Sequence, residues 1–381
     1  MQQSYFVHKK RAAVLRNTDS MMRRLLEVEV TRGRAAELSE KELTDLTVQV
    51  TELFLQDNAC LDVDLHEPLY ILGDIFGQYG DLLHIFEELG FPPQTRYLLL
   101  GNYVDRGHNS IEVLAFLFIY KMKFPNHIYM LRGNHECEFV SCQYGFLGEC
   151  NKRYSKHLWR VFMNAFDCLP AVAIVENCIL CVHSGLIPCL EKFSLTSLAK
   201  LRLFIMDLIR RPVSLTNNFL LTQLTWSEPS IDSRGWSRNP VGLGLNFGEN
   251  VVDTFCQIFD LQMVIRGHDL LEKGYEFSAN DRLLTIFTAP NMSGQFHNLG
   301  ALVHLYRTSE SPVEICGQIK VIKPSSKLTR GLCFYQPLVI EDSLSSRYVD
   351  QNAHFKQTHD FSKLSKTERR KNGTNILSVT K

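Results

Sequence analysis

Leu69-Tyr-Ile-Leu-Gly-Asp-Ile-Phe-Gly-Gln-Tyr-Gly-Asp-Leu82 sets a pattern that returns in Arg96-Tyr-Leu-Leu-Leu-Gly-Asn-Tyr-Val-Asp-Arg-Gly107 and in Ile128-Tyr-Met-Leu-Arg-Gly-Asn-His-Glu-Cys137. Each stretch opens with a short apolar run, Leu69 to Leu72, Arg96 to Leu100 and Ile128 to Leu131, which reads as a strand. Each run gives way to glycine and then to Asp or Asn, the chemistry of a tight turn. Helical spacing follows the first turn from about Gly80 to Leu89 and the second from Ile111 to Tyr120. Strand, polar turn and helix in repetition predict an α/β fold with right-handed crossovers. In such folds ligands gather beyond the carboxyl ends of the strands.

Downstream, Ile179 to Val182, Met263 to Ile265, Leu283 to Thr288 and Ala301 to Tyr306 read as further strands. Upstream, Leu43, Leu46, Val50, Leu53 and Phe54 recur at helical spacing. An earlier helix is expected after Asn17, Thr18 and Asp19, with Met22, Leu25 and Leu26 as its apolar stripe. Three regions result: a flexible N-terminal segment over 1–16, a catalytic-type domain over 17–325 and a mostly flexible basic tail over 326–381. The tail contains ten Lys/Arg against five Asp/Glu, with an ordered piece expected near Leu332 to Ile340 and a basic run from Lys363 to Lys371. A nuclear or nucleic-acid signal and a plain solvated tail are both compatible with that run.

Composition excludes several classes. Among 381 residues, 45% hydrophobic and 22% charged, neither a wholly disordered chain nor a disulfide miniprotein is possible. Lys+Arg and Asp+Glu are both 41, so no global charge draws the chain to nucleic acid or membrane. The longest apolar run, Val113 to Tyr120, is too short to span a bilayer, and the N-terminus shows no signal-peptide pattern. Eleven cysteines, an odd number, fit a reducing intracellular setting, cytoplasm and/or nucleus. Cys178 and Cys181 form a C-x-x-C, but on a strand they face opposite ways and read as buried small hydrophobes.

Five strand ends carry polar groups: Asp74; Asn102 with Asp105 and Arg106; Asn134 with His135 and Glu136; His183; and Arg266-Gly-His268. One histidine alone means little. Asp, Asn and imidazole gathered at five equivalent positions are a ligand set for borderline metals such as manganese, iron or zinc.

These residues, with Tyr144-Gly-Phe, His183-Ser-Gly-Leu-Ile-Pro188, Ala289-Pro-Asn-Met-Ser-Gly294, Phe91-Pro-Pro93 and Gly274-Tyr-Glu-Phe277, resemble the phosphoprotein phosphatase family of serine/threonine phosphatases. Within it the chain is most similar to the type 1 catalytic subunit, from about Asn17 to Pro324. The resemblance implies a metallophosphoesterase-like fold, a central β-sandwich flanked by helices with the metal site at strand carboxyl ends. It implies two divalent metals, the first at the Asp74, Phe76 and Asn102 positions and the second at Asn102, Asn134, His183 and His268. It further implies that Asp105 orients His135, that His135 protonates the leaving alkoxide, and that Arg106 and the Val241 position clamp phosphate. The implied substrates are phosphoserine and phosphothreonine proteins. Regulatory subunits are expected at an apolar groove matched by Phe277, Leu284 and Ile319, though Asp281 and Gly317 do not match it.

The chain departs from that family at telling positions. Phe76 stands where the family has His, Asn102 where it has Asp, Val241 where it has Arg and Met292 where it has Tyr. Ser184 replaces a glycine, and Gln295 and His297 replace acidic residues. Phe76 has no lone pair and Asn102 lacks the bridging charge, so incomplete metal occupancy is expected. Two functions follow: a phosphatase-fold protein that binds partners but catalyses little, or a working phosphatase with a modified dinuclear centre.

Overall fold

The computed structural model describes residues 15, 17–27, 35–188, 190–240, 243–308, 314–323, 359–360 and 377–379. Two sheets lie face to face. The first runs β1 (Cys60–Val63), β5 (Val172–Val175), β6 (Ile179–Val182), β10 (Met263–Arg266), β12 (Leu283–Ile286) and β11 (Tyr275–Ser278). The second runs β14 (Ile315–Ile322), β13 (Gly300–Arg307), β2 (Leu69–Leu72), β3 (Arg96–Leu99) and β4 (Ile128–Met130). Beyond β14, His359–Asp360 and Leu377–Val379 pair with its outer edge.

Strand alternation builds three cores at once. In β2, Leu69 and Ile71 face the other sheet, while Leu72 joins the helical layer. In β5, Ala173 and Val175 face inward and Val172 and Ile174 outward. Both faces are apolar because both are covered, which explains why these strands read as unbroken hydrophobic runs. The outer core of the second sheet takes in α2 (Glu40–Gln56), α3 (Tyr79–Leu89), α4 (Ser110–Lys123) and α7 (Lys156–Phe166). That of the first sheet takes in α8 (Leu198–Leu208), α9 (Phe219–Trp226) and α10 (Glu249–Phe259). The result is the expected helix-flanked β-sandwich.

The core places Val113 to Tyr120 in the middle of α4, buried all round. Among the described residues, no helix is long and apolar enough to cross a membrane. Helix α2 begins with a capping box, Ser39 accepting from the Glu42 N–H.

Several sequence expectations need correction. The first helix already includes Asn17, ahead of its expected start after Asp19, and Leu15 packs on the helical core. Its buried stripe is Met21 and Leu25, whereas Leu26 is exposed; one position of helical phase separates the two readings. Cys178 lies in the turn before β6, packs with Cys181 against the same inter-sheet core, and forms no disulfide. Leu332 to Ile340, Lys363 to Lys371 and Val241 lie outside the described residues. Of the groove residues, Leu284 is fully buried between the sheets, while Phe277 and Ile319 are partly buried beside it.

Candidate functional site

Topology brings the five strand ends together. Strands β2, β3 and β4 are parallel neighbours, so the turns holding Asp74, Asn102 and Asn134 stand side by side. Strands β6 and β10 are parallel neighbours in the facing sheet and deliver His183 and His268 from the other side. The turns are held in register by backbone hydrogen bonds. Ile75 and Phe76 N–H donate to the Asn102 carbonyl at 3.0 and 2.9 Å. Glu136, fully buried, accepts from Asn102, Tyr103 and Gly133 N–H at 2.7, 2.8 and 3.0 Å. Gly133 is required there, because a Cβ would stand 2.4 Å from the Asn102 nitrogen. Phe76, Asn102, Asp105, Arg106 and His268 all adopt positive φ, between 49° and 76°, a region bulky side chains seldom enter.

One catalytic-type pair is complete. His135 Nδ1 lies 2.7 Å from Asp105 Oδ2, and Asp105 Oδ1 accepts the Phe146 N–H at 2.8 Å. Asp105 is wholly buried, and with Nδ1 committed to it, Nε2 is the histidine's remaining proton-transfer atom. Arg106 is exposed and lies over the Tyr144 ring, 4.2 Å from its centroid.

The remaining groups divide into two sets. In the first, His183 Nδ1 donates to the Leu100 carbonyl at 2.9 Å, which leaves its Nε2 lone pair 3.0 Å from Asn134 Oδ1. Burial, then the neighbouring His268, holds the His183 pKa well below the usual imidazole range, so the ring is neutral. His268 Nε2 sits 3.2 Å from Glu228 Oε1, and its buried Nδ1 has no hydrogen-bond partner among the described residues. Three lone pairs thus lack hydrogens between them, and the outward N–H of each imidazole is anchored, an arrangement that could hold a cation.

The second set is closed on itself. Asn102 Nδ2 donates to Asp74 Oδ2 at 2.7 Å, and Asn102 Oδ1 accepts the His135 N–H at 3.0 Å. Asp74 Oδ1 accepts the His268 N–H at 2.9 Å. Burial pushes the Asp74 carboxyl upward. Phe76 forms an apolar cluster with Phe287, Ala289 and Met292, and its ring meets His135 edge-on at 4.9 Å.

Among the described residues, one trio of His, Cys, Asp or Glu groups has ligand atoms within 4.8 Å of one another: Glu228, His268 and Asp269. Asp269 is committed to an ion pair with Arg266. Glu228 and the cleft-lining Trp226 were not legible as site residues, since Trp226 ends α9 and Glu228 follows it, in a segment without strand-end pattern. Glu136 was visible in its motif, but its role as a clasp between turns was not. Ser184 is buried, donates to the Ser227 carbonyl and accepts from Arg266. Gln295 and His297 are exposed.

Residues 67–271 match the profile of the calcineurin-like phosphoesterases. The chain belongs to that family. Calcineurin-like phosphoesterases bind divalent metals, and the strand ends above are where this member gathers its polar groups. A similar solved structure is a protein serine/threonine phosphatase from Saccharomyces cerevisiae with similarity to human phosphatase PP5, at 25% identity and TM-score 0.70, covering 80% of this chain and 96% of that one. A cold-active protein-tyrosine phosphatase from Shewanella sp. aligns at 17% identity and TM-score 0.45, covering 70% of this chain and 81% of that one.

Proposed function

We propose that this member is a serine/threonine protein phosphatase relative, closest in its motifs to the type 1 catalytic subunit, that binds phosphoserine or phosphothreonine proteins and their regulatory partners but hydrolyses them poorly. The observation that carries this reading is the hydrogen bond from Asn102 Nδ2 to Asp74 Oδ2. An N–H donor points into the space where a first metal would need a lone pair, and the Phe76 ring closes the adjacent position with hydrocarbon. Asn134, His183 and His268 fit one cation such as manganese, iron or zinc; Asp74, Phe76 and Asn102 do not fit a second.

In a dinuclear phosphatase centre the metals supply a hydroxide at neutral pH and neutralise charge on the phosphoryl oxygens. What this chain's own residues retain is the other half of the chemistry. Asp105 fixes His135 so that Nε2 can protonate a leaving serine or threonine oxygen, and Arg106 offers one phosphate contact. General acid catalysis contributes roughly 10²–10⁴-fold, which does not replace the nucleophile.

Metal quantification and phosphopeptide turnover with added manganese, on the same preparation, test the proposal. Well under two metals per chain and poor turnover are expected. Asn102→Asp with Phe76→His and Val241→Arg is expected to raise both metal content and rate, the latter at least tenfold. Two metals and ordinary family turnover in the unmodified chain refute the reading and favour the alternative, a working phosphatase with a modified centre. The intact Asp105–His135 pair is what supports that alternative.

A further inference from the structure

Asn109 stands at the head of α4 but its side chain does not cap the helix; its amide reaches forward to Glu112 Oε2 at 3.2 Å. The first N–H groups of a helix have no partner within it. Here two of them are taken up from another element. Ser110 and Ile111 N–H donate to Glu149 Oε2 and Oε1 at 3.0 and 3.2 Å. Glu149 belongs to α6 (Phe146–Arg153) and lies 39 residues beyond Ser110 in the chain.

The start of the same helix grips the loop that leads into α4. Phe146 N–H donates to Asp105 Oδ1 at 2.8 Å, and the Arg106 N–H donates to the Tyr144 carbonyl at 3.1 Å. The loop from Asp105 to Asn109 is thus strung between two points on α6 about one turn apart. Asp105 and Arg106 have φ of 72° and 61°. Backbone persists in that region only where its surroundings hold it. Asn109 N–H adds one further tie, to the Gly77 carbonyl at 3.1 Å.

The holding carboxylate is itself under load. The Glu149 side chain is only 10% exposed, and Arg153 on its own helix lies 2.9 Å away. Arg153 also serves the wholly buried Glu112 of α4, so one guanidinium answers two carboxylates. Tyr154 and the Cys150 thiol stand beside this group. Asp105 of the loop and Glu40 of α2 act on it from beyond Cys150, and α7 brings only the rings of Phe162 and Phe166, packed on Phe146. Burial, and then Glu112, push the Glu149 carboxyl up to about 7 from the ordinary 4.5.

We propose that Glu149 is a positioning residue for the cleft: from α6 it fixes the far end of the loop whose near end carries Asp105 and Arg106. The role is the same whether a bound phosphoprotein is hydrolysed or only retained. It also has a pH signature. An ionised carboxylate that burial penalises prefers the released loop, where water reaches it, so release is favoured as pH rises through 7. With 7 in the held state and 4.5 in the released one, the opening equilibrium grows about tenfold between pH 6 and pH 8.

Hydrogen exchange of the full chain tests this, read by mass spectrometry over residues 103–113 and 143–149 and corrected for the intrinsic rate at each pH. In the unmodified chain, exchange in both segments should rise about tenfold from pH 6 to pH 8. Glu149→Gln keeps an oxygen acceptor but cannot ionise, and should abolish that rise. Glu149→Ala should speed exchange in both segments at least tenfold at pH 6. Glu42→Ala, which removes the cap of α2, controls for a general loss of stability and should leave both segments as they were. Glu136, also pushed up to about 7 by burial, is present in every variant, so a rise that survives Glu149→Gln belongs to Glu136 and overturns the assignment. Unchanged exchange in Glu149→Ala, or equal acceleration by Glu42→Ala, overturns it too. If Glu149→Ala does not fold, the Glu149→Gln arm decides alone.

Discussion

Asn102 makes the residue-scale case. An aspartate at that position could not donate to Asp74; it would repel it, and a cation between the two would relieve the repulsion. The amide instead supplies a hydrogen, so the pair is satisfied by the chain itself. Asn102→Asp alone is therefore expected to destabilise the metal-free protein, lowering its melting temperature, and added manganese should restore part of the loss; a thermal melt with and without metal checks this. The backbone at Phe76, with φ of 49°, is already turned as the loop requires. Phe76→His should accordingly be accommodated without rebuilding the turn. Asp74, Asn102, Asn134, His183 and His268 were all legible as a group, because a polar residue closing an apolar run, behind a glycine in every case but His183, marks a strand end. Which atom of Asn102 faces Asp74 was not legible, since amide orientation is decided by neighbours far apart in sequence.

At the scale of elements, two links between helices, one buried and one partly exposed, set local stability. Glu112 in α4 is wholly buried, accepts the Ala36 N–H at 2.9 Å and pairs with Arg153 of α6 (Phe146–Arg153), which also reaches Glu149 at 2.9 Å. Arg153→Met leaves buried carboxylates uncompensated and should cost about 3–5 kcal/mol in denaturant unfolding. Glu42 caps α2 and pairs with Arg24 of the first helix at 2.6 Å. Hydrogen bonding to Arg24 pulls its carboxyl down to about 2 from the ordinary 4.5. The folded state therefore gains from this group above pH 4.5 and loses that gain as pH falls toward 2. Melting temperatures measured down that range should fall less steeply in Glu42→Gln, which keeps the capping box but at neutral pH should already be up to about 1 kcal/mol less stable through the lost ion pair with Arg24. Helix α2 could be read from sequence because its apolar spacing is regular. Strand β5 was missed because a short, wholly apolar segment shows no period that separates strand from helix, and β1, Cys60-Leu-Asp-Val63, because four residues are too few to establish one.

For the whole molecule, the decisive arrangement is that two sheets contribute to one site. The sequence displayed the strand ends but could not show how they divide between sheets except through family resemblance. Three stand on the second sheet and two on the first, and those two fall more than forty residues beyond the third in the chain. Strands β11 and β14 pair with their chain neighbours β12 and β13, whereas the pairing of residues 359–360 and 377–379 with β14 depends on contacts more distant in sequence. Those terminal pairings are brief, two and three residues. Removing everything after residue 323 should therefore shift the melting temperature by no more than about 2 °C, roughly what half a kcal/mol to one kcal/mol does in a domain of this size; differential scanning calorimetry of the truncated chain checks it.

The contact between Asn134 and His183 spans the seam where the two sheets meet. Each partner is rooted in a different slab of the sandwich, so their separation registers any sliding of one slab across the other. A ligand lodged above them would act as a strut, resisting shear and binding the fates of the two slabs together as the protein is pulled or heated. Under load from the two ends, the liganded molecule should give way in one event at higher force, where the empty one can part along its seam.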